Sequence, residues 1–169
     1  MKSFLPFMAV VLFAPLASAH VVADPNTGKA NSYFKTSFRI SHGCDGSATV
    51  LVRIKMPADI TSVHPQNKPG WTAKIIHHKD KTVPSHHGNG VQKVVDEVIW
   101  TGGPLPPDQY DEFGLVMKLP NTPDETLWFP ITQQCRKGMS HWVEIPSKGQ
   151  AWGAMKSPAP FVRITKAAE

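Results

Sequence analysis

The chemistry in this sequence begins at the junction Ala19-His20. Residues 1–19 read as an export leader. Lys2 supplies the positive start, Phe4 to Ala14 form a short apolar run broken by Pro6 and closed by Pro15, and Ala17-Ser18-Ala19 is an A-x-A cleavage site. Cleavage there makes His20 the first residue of a mature chain spanning 20–169. A terminal histidine offers two nitrogens, the α-amine and imidazole Nδ1, which close one chelate ring around a single metal ion. An internal histidine cannot do this, because its amide nitrogen is not basic. Donors of this kind suit Cu(II), which heads the divalent affinity order and accepts tetragonal N,O geometry. The free amine has a reference pKa of about 7.7–8, so binding displaces a proton and weakens in acid. The competing reading is that His20 is simply what the cut leaves, since the chain holds eight histidines.

Other residues offer less. His77-His78 and His86-His87 flank the polar stretch KDKTVPS, which reads as an exposed hairpin or loop. They are either solvated loop histidines or the donors of a second metal ion. His42 and His64 sit beside turn signals and take no role. Met56, Met117, Met139 and Met155 form no Met-rich cluster of the kind that binds Cu(I), and Trp71, Trp100, Trp128 and Trp152 read as packing residues. The sequence lacks G-x-S-x-G, H-E-x-x-H and P-loop patterns, and Ser85 and Ser140 stand near histidines without a supporting motif. Cys44 and Cys135 are an even pair in a chain expected to be exported, so the reading is a disulfide. The rival is a two-thiolate metal site, which the absence of any C-x-x-C spacing disfavours.

These residues need a scaffold, and the mature region reads as all-β. Segments rich in β-branched and aromatic residues run over Ser32–Ile40, Ala48–Met56, Trp71–His77, Val91–Trp100, Phe113–Lys118, Leu127–Gln133, Trp142–Ile145 and Phe161–Thr165. Between them lie the turn clusters HGCDGS, HPQNKPG, TGGPLPP, LPNTPDE, CRKGMS and IPSKGQ. Sixteen prolines argue against long helices. Short strands at regular spacing imply a two-sheet sandwich of immunoglobulin-like type in one domain. Cys44 follows the first long strand and Cys135 ends a later one, so a bridge would tie distant parts of that sandwich.

The net charge of +5 falls to +4 once Lys2 leaves with the leader, and the lysines and arginines are scattered. A diffuse basic surface fits an anionic cell envelope, whereas export argues against a nucleic-acid partner. The leader is too short and too interrupted to span a membrane, and no other stretch approaches about 20 apolar residues. The expected location is the periplasm or the cell exterior.

The segments HVVADPNTGKANSYFKTSFRISHGCDGSATVLVRIKMPADI, VHPQNKPGWTAKI, VIWTGGPLPPDQYDEFGLVMKLP, ETLWFPITQQC and HWVEIPSKGQ occur in that order over nearly the whole mature chain. Together they resemble the YcnI-like family of exported copper-binding domains. The resemblance implies an immunoglobulin-like sandwich with one copper site, a one-histidine version of the histidine brace. That site combines the N-terminal histidine with a carboxylate, and a tryptophan lies beside the metal. Position by position, His20 matches the terminal ligand, Glu112 in YDEFG the carboxylate, and Trp142 in HWVEIP the tryptophan. A carboxylate adds a hard oxygen donor and offsets part of the copper charge. A tryptophan can exclude water and cover the site, although it can also be an ordinary core anchor. Asp111 adjoins Glu112 and faces the other side of a strand. Glu144, two residues after Trp142, would share its face as a supporting group or substitute ligand. His141 cannot face the metal together with Trp142 in a regular strand.

These observations point to a Cu(II) chaperone or copper-homeostasis protein, not an enzyme, that exchanges copper with other periplasmic or membrane copper-handling proteins. Two alternatives stand beside it. A copper-dependent oxidative enzyme of lytic polysaccharide monooxygenase type needs a second brace histidine, which the sequence does not single out. An adhesion or assembly module of immunoglobulin type needs no metal.

Overall fold

A computed structural model describes residues 20–58, 60–84 and 90–167. The leader and the pair His86-His87 lie outside the described residues. Among the described residues twelve strands form three sheets. The first sheet has the order β1 (Val22–Asp24), β3 (Tyr33–Ile40), β8 (Asp111–Lys118) and β5 (Val63–Pro65). The second runs β11 (Met139–Trp142), β10 (Ile131–Cys135), β4 (Thr49–Lys55), β7 (Val91–Leu105) and β6 (Trp71–Pro84). A small third sheet holds β2 (Thr27–Lys29), β12 (Phe161–Thr165) and β9 (Thr126–Trp128), with β2 and β12 parallel.

The central strands of the two larger sheets bury one face, as the period of two demands, whereas the edge strand β6 buries none of its residues. Thr36, Phe38 and Ile40 of β3 and Phe113, Leu115 and Met117 of β8 are buried on one side, and Val52 and Ile54 of β4 with Ile131 of β10 on the other. Aromatic rings bridge the layers: Trp100 of β7 meets Phe113 at 5.6 Å between centroids, and Phe38 meets Phe129 at 5.1 Å. One hydrophobic cluster takes in residues of all three sheets.

Three expected strands are drawn differently by the fold. Leu127–Gln133 is two strands, because Pro130 has no N–H for a ladder. Buried Phe129 passes the chain from the third sheet into the second. Trp142–Ile145 is corrected to Met139–Trp142. Beyond Trp142 the backbone turns to Ser157, whose carbonyl accepts from the N–H groups of Val143 at 3.0 Å and Glu144 at 3.1 Å. Of the two readings of KDKTVPS, hairpin or loop, the structure takes the hairpin: β6 reaches Pro84 and pairs antiparallel with β7, with a register slip between His77 and Thr82. The short strands β1, β2 and β5 add to the expected set, since three residues containing Gly or Pro, or only three in all, are too few to show alternation.

Cys44 and Cys135 form a disulfide with Cα atoms 6.0 Å apart. Cys44 follows β3 and Cys135 ends β10, so the bridge fastens one large sheet to the other.

Candidate metal centre

Val22 of β1 lies opposite Arg39 of β3, and Arg39 lies opposite Glu112 of β8. His20 therefore enters the fold at the open end of the β1/β3 pair, two residues ahead of the edge strand. Its ring is partly buried between two tryptophans. The centroid of Trp152 is 5.1 Å away with planes at 82°, and that of Trp142 is 6.3 Å away at 69°. Both are edge-on contacts of the kind aromatic quadrupoles favour. Atom Nε2 of His20 is buried and has no hydrogen-bond partner among the described residues.

Each tryptophan is held in place. Trp142 ends β11 opposite Ile131 and points inward, only 6% exposed. Its Nε1–H donates to Oε1 of Gln133 at 3.3 Å. Gln133 is fully buried, and its amide Nε2 donates to the carbonyl of His42 at 2.7 Å and to Oγ1 of Thr49 at 2.8 Å. A side-chain amide thus satisfies three buried polar groups, which is what allows it to stand in an apolar core. Trp152 sits in a single 3-10 turn, Trp152–Ala154, donates from Nε1 to the carbonyl of Ala159 at 2.8 Å, and packs on Phe161. It also walls a cleft of about 210 Å³ lined by Val22, Asn26 and Phe161 among others.

The structure brings His20 and Trp142 together. It also adds two residues to which the sequence assigned no site role. Trp152 is the nearer of the two indoles at His20. His42 lies edge-on to Trp142 at 5.9 Å. The signal that could have found His42 is its place just past the strand that pairs with β1, which returns it toward the chain's start.

The acidic residues stand on other elements. Glu112 is exposed on the outer face of β8, two strands across from β1, or about 10 Å at ordinary strand spacing. Asp111 is turned the other way and pairs with Lys68. Glu144 does not share the buried face of Trp142, because the strand ends between them. It is exposed and its carboxylate accepts from the backbone N–H of Ser157 at 2.6 Å. His141 is exposed, 3.3 Å from Oγ1 of Thr132, on the side opposite Trp142. His64 is exposed on β5. His77 and His78 are exposed on β6, at the far edge of the second sheet from Trp142. His78 and Lys55 both reach Oδ1 of Asp96, at 2.9 and 2.6 Å.

Among the described residues no three His, Cys, Asp or Glu side chains gather as a metal cage. The arrangement around His20 fits a metal differently. A buried imidazole nitrogen without a partner costs about 1–3 kcal/mol, and chelation through Nδ1 lets Nε2–H rest on indole π density. Were the leader removed at Ala19, the freed amine would supply the other nitrogen and one residue would offer two donors.

Residues 20–164 match a family described as a domain of unknown function, DUF1775. The copper-binding protein CutI of Bacillus subtilis (strain 168) is 27% identical over 122 residues, which is 71% of this chain and 53% of the relative. The chain therefore spans about half the length of that curated relative. A crystal structure of an uncharacterized protein from Nocardia farcinica, described as having an immunoglobulin-like fold, superposes with a TM-score of 0.68 at 24% identity. The match covers 86% of this chain and 98% of that one, and it shows that the architecture here is immunoglobulin-like.

Proposed function

The chain belongs to the YcnI-like DUF1775 family, and from that premise we propose that it is an exported Cu(II)-binding protein whose site is built on His20 as a processed N terminus. It resides in the periplasm or outside the cell and hands copper to, or receives it from, other copper-handling proteins. The carrying observation is the setting of His20: partly buried against Trp142 and Trp152, with a ring nitrogen that no group among the described residues satisfies. The family match begins on that same residue, and the relative CutI carries copper binding in its name.

The α-amine and Nδ1 of His20 hold the ion, and the two indoles exclude water from one side of it. The mono-histidine reading takes its oxygen donor from Glu112, which neutralises part of the charge. Glu112 stands about 10 Å to the side of β1, a gap that the terminus ahead of Val22 has to close. Few protein donors and an open coordination position allow ligand exchange, which suits transfer better than permanent storage. A binding role, not catalysis, accords with the relative's description.

The test is a copper titration of the chain trimmed to start at His20, followed by spin resonance to identify the nitrogen donors. The expected result is tight Cu(II) binding with the terminal amine in the coordination sphere. It should be lost in His20→Ala and in a chain carrying one extra residue before His20, with the fold retained. Unchanged affinity in the extended chain would overturn the reading.

A further inference from the structure

Trp142 touches two histidines, and the second is the more firmly fixed. The rings of His20 and His42 both meet this indole edge-on, at 6.3 Å and 69° and at 5.9 Å and 68°. The β1/β3 register brings the two segments to the same end of the sheet. Val22 pairs with Arg39 and Ala23 with Phe38, so His20 enters level with Ser41, and both it and His42 stand beyond the ends of β1 and β3, where strand alternation no longer sets their facing. Their common contact with Trp142 is what brings the two imidazoles to one place.

We propose that Nε2 of His42 is a second imidazole donor to the copper held by His20, so that the site presents three nitrogens; this rests on the copper reading above. Nδ1 of His42 lies 2.8 Å from the carbonyl oxygen of Gly43. A carbonyl only accepts, so Nδ1 carries the proton and Nε2 is the basic nitrogen. Metal-ligating histidines are held in this way, with one ring nitrogen donating to a backbone carbonyl and the other turned to the ion.

The backbone under His42 is equally constrained. Its carbonyl accepts from Gln133, which also holds Trp142, and the disulfide at Cys44 begins two residues later. Ring, indole and backbone are therefore set before an ion arrives, which preorganises the donor. The other described histidines are placed away from Trp142: His141 on the opposite side of β11, His64 on β5, and His77 and His78 on β6. Three nitrogens beside one oxygen donor suit the tetragonal N,O coordination of Cu(II).

Pulsed spin resonance on the Cu(II)-loaded chain beginning at His20 counts coordinated imidazoles through their remote nitrogens. Two imidazoles are expected in the unaltered protein. His42→Ala should show one, with copper affinity reduced at least by the roughly 10–100-fold that follows loss of even an outer partner of a metal ligand. One imidazole in the unaltered protein, with the amine still bound, overturns the role of His42 and leaves the His20 chelate standing. Failure of the unaltered protein to bind copper, or a spectrum without the amine, overturns both. The imidazole count is read from the unaltered protein, so it decides the role of His42 even where His42→Ala does not fold. His42→Gln, which keeps a polar side chain, supplies the affinity comparison in that event.

Discussion

Gln133 holds Trp142 by its indole N–H, Nε1 to Oε1 at 3.3 Å, and with its other end holds the backbone of His42 at 2.7 Å. One fully buried amide thus couples the last residue of β11 to the turn after β3, across the two large sheets. Replacing it tests that coupling. Gln133→Leu preserves most of the volume but leaves the Trp142 N–H, the His42 carbonyl and the Thr49 hydroxyl without this partner. Stability should fall by at least about 1–3 kcal/mol, the penalty for one buried group left unmatched. The denaturation midpoint reports it, and a change under about 0.5 kcal/mol, the size of an ordinary surface substitution, would show that water replaces the amide.

Glu112 and Glu144 can be compared directly. Glu112→Gln should weaken Cu(II) binding more than Glu144→Gln if the carboxylate implied by the family resemblance serves the ion. Neither change should disturb the fold. Glu112 is exposed opposite Arg39, and a glutamine at 144 keeps an acceptor for the N–H of Ser157. Titrations of the two variants decide, and the reverse order moves the oxygen donor to Glu144.

Asp96 gives a pH dependence. The hydrogen bond from Lys55 holds its carboxyl below the usual 3.8, against a smaller opposing effect of burial and with help from the charges of Lys55 and His78. A lowered folded-state pKa stabilises the fold at pH values above the unfolded value, and this is lost as the pH falls through the lowered one. Asp96→Asn should therefore destabilise by about 0.2–1 kcal/mol at neutral pH, the range of exposed ion pairs, and progressively less below about pH 4. Thermal melts of both proteins across that window check the sign. A difference that grows in acid would contradict it.

The disulfide joins Cys44 and Cys135 across a sequence separation of 91. Loop entropy assigns such a closure about 4–5 kcal/mol. The double variant Cys44→Ser, Cys135→Ser should lose a stabilisation of that order in urea unfolding. A loss below about 1 kcal/mol would mean that core packing alone limits the unfolded chain's gain.

The sequence by itself determined what depends on neighbours along the chain. Alternation of β-branched and polar residues marked Ser32–Ile40, Ala48–Met56 and Phe161–Thr165 as strands, since the period of two is written locally, and the structure forms them over Tyr33–Ile40, Thr49–Lys55 and Phe161–Thr165. Two cysteines in a chain read as exported left one pairing to form, and the structure forms it. Short strands such as Val22–Asp24 were illegible because their partners, not their composition, make them strands.

Only the tertiary structure decided which residues share a site. His20 and Trp142 meet because the start of the chain runs beside β3 while β11 closes the facing sheet. His42 joins them for the same reason, although beside its turn it looked like any loop histidine. Glu112 stands two strands across from β1, and Glu144 lies past the end of the strand that carries Trp142. Pattern records the face a side chain takes within its own strand. Convergence depends on how separate strands pair and stack, and that is settled by burying the whole core at once.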